Sequence, residues 1–568
     1  MTRRSLAVGA GLVAGALCGT ALLGCRNTPP ADLVIRGGKV ATVDAAFSTR
    51  EAVAVRGGTI VYVGDRAGAG AFIGPQTRVI DLSGGLVLPG FVDAHAHMYG
   101  YGQELASLDV TGTRSFEEVI ARVAERVRTA KPGEWITGGR WDQNDWTNTS
   151  FPVHDALSAV SPDNPVYLKR VDGNAALVNG RALRLAGITR ASADPRGGVI
   201  HRQPNGEPTG VILNRAIDLV DAVAPKDSPE HYEARLVAAV DRAASFGLTG
   251  WHEAGITPRE IAVYKSLVRR GALKLRCYGM LGDERNPEYP GDLVEYFRAN
   301  RLEDDATHMF SVRSVKLFFD GALGSRGAAF YEPYADDPKN TGLLRVSPEY
   351  VEKVARAALQ TGMQVGTHGI GIRGNRLVLE AYEKALRDNR VEDHRFRIEH
   401  AQFAEPRDVA KCAELGVLPA MQPTHATSDM SFVEARIGPE RARTGYAWRS
   451  FLAAGLVIPS GSDFPVESPN PLLGIYAAVT RTDLEGKPDG GWHPEQRMTI
   501  QEAIRGFTTW AAFASFREKV LGTIEVGKLA DFTILDTDIL TVPARDIPKA
   551  RVLHTIVGGR EVYRAAGR

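Results

Sequence analysis

Apolar and polar positions alternate from residue 32 to 88, in short runs broken by paired glycines. Leu33-Val34-Ile35-Arg36-Gly37-Gly38-Lys39-Val40 is one such run, and Val53 to Gly64 turns at Gly57-Gly58. Strand, Gly-Gly, strand predicts hairpins, because two-residue turns need positive φ. The pattern returns near the other end, at Leu529 to Leu535 and at Val552 to Tyr563 around Gly558-Gly559. Two matching β segments at opposite ends predict one small β-sandwich domain, built from residues 32–88 and 520–565. Between them, strand-like and helix-like stretches alternate, which predicts a parallel α/β architecture. The fold class expected is α/β, a (β/α)₈ TIM-type barrel over residues 89–519. The long stretch from about 130 to 245 reads as an insertion beside its mouth.

Several strand-like runs end in residues able to bind a cation. Val87-Leu88-Pro89-Gly90-Phe91-Val92-Asp93-Ala94-His95-Ala96-His97 closes on His-x-His. On a strand, positions i and i+2 share a face, so His95 and His97 can address one ion. Gln364 to His368, Phe396 to His400 and Val457 to Asp463 end likewise. Barrel active sites form where strands deliver their C-terminal residues. Four histidines and one aspartate at such ends are hard to explain by packing.

Composition narrows the class. The chain has 568 residues, 44% hydrophobic and 24% charged, with a formal charge of +1. That balance excludes a basic nucleic-acid-binding surface. Cys277 and Cys412 lie far apart without C-x-x-C spacing. Two buried thiols are expected, with a disulfide as the alternative. Residues 1–31 read as an address: Arg3-Arg4, an apolar run, then Leu22-Leu23-Gly24-Cys25. The tetrapeptide resembles the lipobox of bacterial lipoproteins, which implies lipidation at Cys25 and an extracytoplasmic, membrane-anchored body. An uncleaved helical anchor is the alternative.

The motifs together resemble the amidohydrolase superfamily, in its amidohydrolase-3, YtcJ-like branch. They are Pro89 to His97, Gly139-Arg140-Trp141-Asp142-Gln143, Val315-Lys316-Leu317-Phe318-Phe319-Asp320-Gly321, Arg397-Ile398-Glu399-His400-Ala401-Gln402, Met421-Gln422-Pro423-Thr424-His425 and Gly461-Ser462-Asp463-Phe464-Pro465, followed by Gly522 to Asp531. The resemblance implies a metal-dependent hydrolase that cleaves a non-peptide carbon–nitrogen bond, in an amide or cyclic amide, through a metal-activated water. It implies His95 and His97 on one metal, His368 and His400 on a second, and Asp463 as ligand and base. One or two Zn²⁺ are expected, with Mn²⁺ or Fe²⁺ as alternatives. Lys316, carbamylated by carbon dioxide, is the expected bridging anion, and Glu253 the fallback. Pairing of Lys316 with Asp320 or a substrate carboxylate is the alternative. Trp141, Asp142, Gln143, Arg326 and His425 are expected as substrate-binding walls. A small-molecule amide is the expected partner, and a homodimer stays open as the assembly. Deamination or ester hydrolysis at the same site, or a catalytically silent ligand-binding lipoprotein, are the rival readings. Two departures from the branch pattern, Asp172-Gly173-Asn174-Ala175 and His368-Gly369-Ile370-Gly371-Ile372, imply a changed substrate.

Overall fold

A computed structural model describes residues 28–170, 175–225, 228–282, 288–389, 391 and 393–566. Cys25 and the proposed export segment lie outside the described residues, as do Asp172, Gly173 and Asn174. Among the described residues, no helix is long and apolar enough to cross a membrane.

Three sheets organise the chain. The first has eight strands, contributed by Leu33–Ala41, Thr49–Arg56, Thr59–Gly64, Arg78–Asp81 and Leu86–Pro89 from one end and Phe532–Leu535, Val552–Val557 and Arg560–Arg564 from the other. The two ends meet where Leu86–Pro89 pairs antiparallel with Phe532–Leu535. All eight strands are linked through one hydrogen-bonded sheet, and its alternating inward residues, such as Leu33, Ile35, Val53, Val55 and Ile534, share one apolar cluster.

The second sheet is a parallel barrel wall of seven strands: Phe91–Ala96, Leu248–Ile256, Arg276–Leu281, Phe310–Phe318, Gln364–Gly369, Arg397–His400 and Leu418–Ala420. The segment 459–463 fills the remaining gap. Met421 bridges Ser460 in parallel on one side. On the other, the Ala94 amide donates to Ser460 O (3.0 Å) and the Asp463 amide to His95 O (2.8 Å). The protein is therefore an α/β TIM-type barrel. These strands are buried on both faces because helices cover the outside and side chains, several of them charged, fill the inside. Several of the intervening helices begin with side-chain caps. Thr257, followed by Pro258 and closed by Glu260, forms a full capping box.

The third sheet has six strands between Leu108 and Asn214. It begins ahead of residue 130, and the helix Pro229–Ser245 returns the chain to the barrel. Gly138 and Gly139 have φ of +147° and +137°, and a Cβ there would sit 2.2 Å from Leu108 O and 2.0 Å from Lys169 O. Only glycine permits that approach.

The barrel and the composite sheet are bolted together by a buried ion pair. Arg276 donates to both carboxylate oxygens of Asp531 (2.6 and 2.9 Å), and the Gly558 amide joins them at 2.7 Å. Cys277 and Cys412 are both buried free thiols, so the disulfide alternative is ruled out.

Candidate metal centre

The barrel brings the expected ligands together. One ligand atom each from His95, His400 and Asp463 lies within 4.8 Å of the others. His97 Nε2 is 3.2 Å and His95 Nε2 3.5 Å from Asp463 Oδ1. Lys316 Nζ reaches to 3.3 Å from His95 Nε2. The His368 ring packs edge-on against His400, with centroids 4.6 Å apart. The tightest triad thus takes one histidine from each of the two expected pairs.

Local backbone geometry aims these groups. His95 and His97 alternate with Ala94 and Ala96 at the end of the first barrel strand. His400 has φ +75° and Asp463 φ +60°, rare for residues with a Cβ. Such strain persists only where surrounding contacts over-determine it. Asp93 supplies one restraint. Its carboxylate accepts from the His95 amide (3.0 Å), the Ser462 amide (3.0 Å) and Ser462 Oγ (2.6 Å). It thereby ties the first strand to the segment bearing Asp463. Burial pushes the Asp93 carboxyl up to about 7 despite these donors.

The outer nitrogens of two ligands are already committed. His95 Nδ1 lies 2.5 Å from Glu399 Oε2, and His400 Nδ1 lies 2.8 Å from Gln422 Oε1. Both acceptors hold the proton on Nδ1, so each Nε2 offers a lone pair. Burial drives His95 and His400 well below the ordinary histidine range, which keeps them neutral. Asp463 is held well below the usual carboxylate range: burial opposes the charge, but His97 and its histidine neighbours outweigh it. The neutral His95 and His400 lone pairs and the ionised Asp463 carboxylate make an acceptor-rich cavity, into which Lys316 Nζ also reaches. A divalent cation fits that donor set, and nitrogen-rich ligation suits zinc and similar metals.

Glu399 is itself gripped by Arg397, whose Nε and Nη2 lie 2.7 and 2.8 Å from its oxygens. Arg397 also donates to Ala94 O (2.7 Å) and contacts His252 Nδ1 (2.9 Å). All of these side chains are buried inside the barrel. Sequence reasoning missed Glu399, Gln422 and Asp93 as positioning groups. The period-2 alternation of Arg397-Ile398-Glu399 was a legible sign, since it puts both charges on one face.

His425 joins the site. Its Nε2 is 3.9 Å from Asp463 Oδ2, its ring stacks on His400 at 6.0 Å, and its Nδ1 faces Gln402 Nε2 at 3.4 Å. Four other expected wall residues are engaged elsewhere. Trp141 is fully buried in the core of the six-stranded sheet, where its indole donates to Leu168 O (2.8 Å) and stacks on Trp146. A large apolar ring gained more there than at a wet cavity wall. Asp142 and Gln143 both take donors from Arg170, at 2.6 and 2.8 Å. Arg326 commits the Nε/Nη2 edge of its guanidinium to Asp336, at 3.0 and 2.9 Å. Glu253, the fallback bridging group, has one oxygen committed. Its Oε2 already accepts from Met98 N, Trp251 Nε1 and Tyr264 Oη. Asp320 does not pair with Lys316. It receives the amides of Ala329, Ile370 and Gly371 at 2.9–3.0 Å and braces the loop after His368.

Known proteins agree with this geometry. The chain is 34% identical over 557 residues to Protein LONG AFTER FAR-RED 3 of Arabidopsis thaliana, covering 94% of this chain and 93% of that one. It is 31% identical to Putative amidohydrolase YtcJ of Bacillus subtilis, covering 93% of this chain and 98% of that protein. It is 28% identical to an N-substituted formamide deformylase of Arthrobacter pascens, covering 94% and 99%. Among solved structures, an uncharacterized metal-dependent hydrolase from Pyrococcus horikoshii superposes with a TM-score of 0.75 at 25% identity, covering 90% of this chain and 99% of that one. The description "Amidohydrolase family" matches residues 78–563. With its ligands converging at the barrel mouth, the chain belongs to the amidohydrolase family of metal-dependent hydrolases.

Proposed function

We propose that the protein hydrolyses a carbon–nitrogen bond of a small-molecule amide or cyclic amide. The observation that carries this reading is the convergence of His95, His400 and Asp463, with His97 at 3.2 Å from Asp463. The likeness to the Arthrobacter N-substituted formamide deformylase supports an amide substrate. His95, His97, His368, His400 and Asp463 would hold one or two divalent cations, zinc first among them. When bound, such a cation polarises a carbonyl and acidifies water toward a pKa of about 7. Asp463, ionised and walled by histidines, accepts the proton of the attacking water and returns it to the leaving nitrogen. His425, beside Asp463 and against His400, is placed to face the carbonyl oxygen as negative charge grows there. Lys316 would lose a proton to give the free amine, which adds carbon dioxide and releases a second proton to become a carbamate, offsetting the cationic charge beside His95. Export and lipid anchoring through Cys25 complete the proposed setting.

The test is a hydrolysis screen of amides, cyclic amides, nucleobase amines and esters with zinc- or manganese-loaded protein, run with and without chelator. Amine release that chelator abolishes is the expected outcome. Turnover of esters alone, or of amines on heterocycles alone, would replace the amidase reading. Absence of stoichiometric metal together with no turnover would make the chain a silent binder.

A further inference from the structure

Among the described residues five arginines are buried: Arg276, Arg395, Arg397, Arg481 and Arg517. Four face a carboxylate, namely Asp531, Asp393 with Glu518, Glu399 and Asp304. Arg481 is 0% exposed and ion-pairs with no carboxylate among the described residues. Its Nε donates to Trp492 O (2.5 Å) and its Nη1 to Tyr446 O (3.0 Å). The guanidinium carbon lies 4.5 Å from the Trp448 ring and 5.0 Å from the Trp492 ring. Its Nη2 meets no acceptor, and neither do the buried Trp448 Nε1, Trp492 Nε1 and His493 Nε2 beside it. The His493 ring packs against Trp492 at 4.5 Å. Glu495, the nearest acidic influence on Arg481, is largely exposed and lies 3.7 Å from His493 Nδ1. Three of the residues in this cluster are held at positive φ: Tyr446 (+52°), Arg481 (+55°) and His493 (+45°).

We propose that this cluster is a binding site for a small monovalent anion, a halide or the carboxylate of a small acid, seated against the free edge of the Arg481 guanidinium. A buried cation without a partner is costly, and so is each buried N–H left without an acceptor. One monovalent anion relieves both, and its single charge matches the single charge of Arg481. The guanidinium carbon lies over both indole rings, which leaves the unpaired Nη2 edge as the place for an anion. The site also connects to the metal centre. Arg481 holds Tyr446 O, the Tyr446 amide donates to Gln402 O (2.6 Å), and Gln402 faces His425. An occupant would brace this chain of contacts from behind. The site itself does not depend on which bond the enzyme cleaves.

The experiment uses the full-length, metal-loaded protein. Crystals soaked in sodium bromide should show anomalous density against Arg481 Nη2. In solution, tryptophan fluorescence is titrated with sodium bromide and with sodium formate at ionic strength fixed by sodium sulfate. A saturable change is expected with at least one of them. Saturation by bromide identifies a halide site, and saturation by formate a carboxylate site. Arg481→Met should abolish saturation. Trp448→Phe keeps a ring and removes one donor, and should weaken binding by about tenfold, the equivalent of one good hydrogen bond to a charged group. Should Arg481→Met fail to fold, the bromide map and Trp448→Phe decide the matter. Absence of bromide at Arg481 with linear, non-saturating quenching for both salts would overturn the proposal. The indole faces and backbone carbonyls would then be the whole environment of Arg481.

Discussion

Replacing Glu399 with glutamine tests how the barrel prepares a metal ligand. In the native protein Glu399 Oε2 accepts from His95 Nδ1 at 2.5 Å and from Arg397 Nη2 at 2.8 Å, and Oε1 is ion-paired with Arg397 Nε at 2.7 Å. A glutamine of the same shape keeps one acceptor oxygen and has no charge. With that oxygen in the place of Oε2, its NH₂ group is driven against Arg397 Nε; rotated by half a turn, the NH₂ group faces both His95 Nδ1 and Arg397 Nη2. In either pose the neutral amide holds the Nδ1 proton less well than the carboxylate does, and Nε2 becomes a poorer donor to the cation. Loss of such an orienting carboxylate typically weakens metal binding by about 10–100-fold, or ~1.4–2.7 kcal/mol. Stability should fall by less than the ~3–5 kcal/mol of a fully orphaned buried charge. Arg397 retains Ala94 O and His252 Nδ1 as partners. The assay is competition for zinc against a chromophoric chelator, with unfolding measured in parallel. At saturating zinc, much of the lost turnover should return. A variant that loses stability but binds zinc as tightly as the native protein would refute the reasoning, leaving Glu399 as packing alone.

Two further outcomes concern the scaffold. Asp531→Ala strands Arg276, whose side chain is 4% exposed, and should cost ~3–5 kcal/mol in urea unfolding. Arg276→Met with Asp531→Leu should recover most of that loss, and failure to recover would point to the Gly558 contact instead. Asp304 is held below the usual carboxylate range: burial pushes it up, but hydrogen bonds from Arg517 and His308 outweigh burial. Its contribution is therefore present above the ordinary aspartate pKa of about 3.9 and lost as pH falls through the lower folded value. The stability difference between native protein and Asp304→Asn should shrink from about pH 6 to pH 3, and a constant difference would contradict this pairing.

Residues that the pattern made legible share one property: their role follows from local periodicity. His-x-His at residues 95 and 97 must face one way on a strand. Paired glycines at 57–58 and 558–559 announce turns, whereas Gly37-Gly38 lie inside the single strand Leu33–Ala41, where the register shifts by a bulge rather than turning back. The resemblance then assigned Lys316, His368, His400 and Asp463, which the barrel gathers near His95 and His97. The partners of Trp141, Asp142, Gln143 and Arg326 were not legible, because they depend on groups remote in sequence or on competing acceptors. Arg326 is claimed by Asp336, and Trp141 by a sheet whose strands run from Leu108 to Asn214.

The order of hydrophobic runs, the turn glycines and the ligand types at strand ends were determined by the sequence alone, since each is set by neighbours within a few residues. Only tertiary structure decided which histidine shares a point with which, and that Glu399, Gln422 and Asp93 fix their nitrogens. It also left Arg481, alone among the buried arginines described, without a carboxylate. Those outcomes depend on distances between segments hundreds of residues apart, and hydrogen bonds and charges act only at contact.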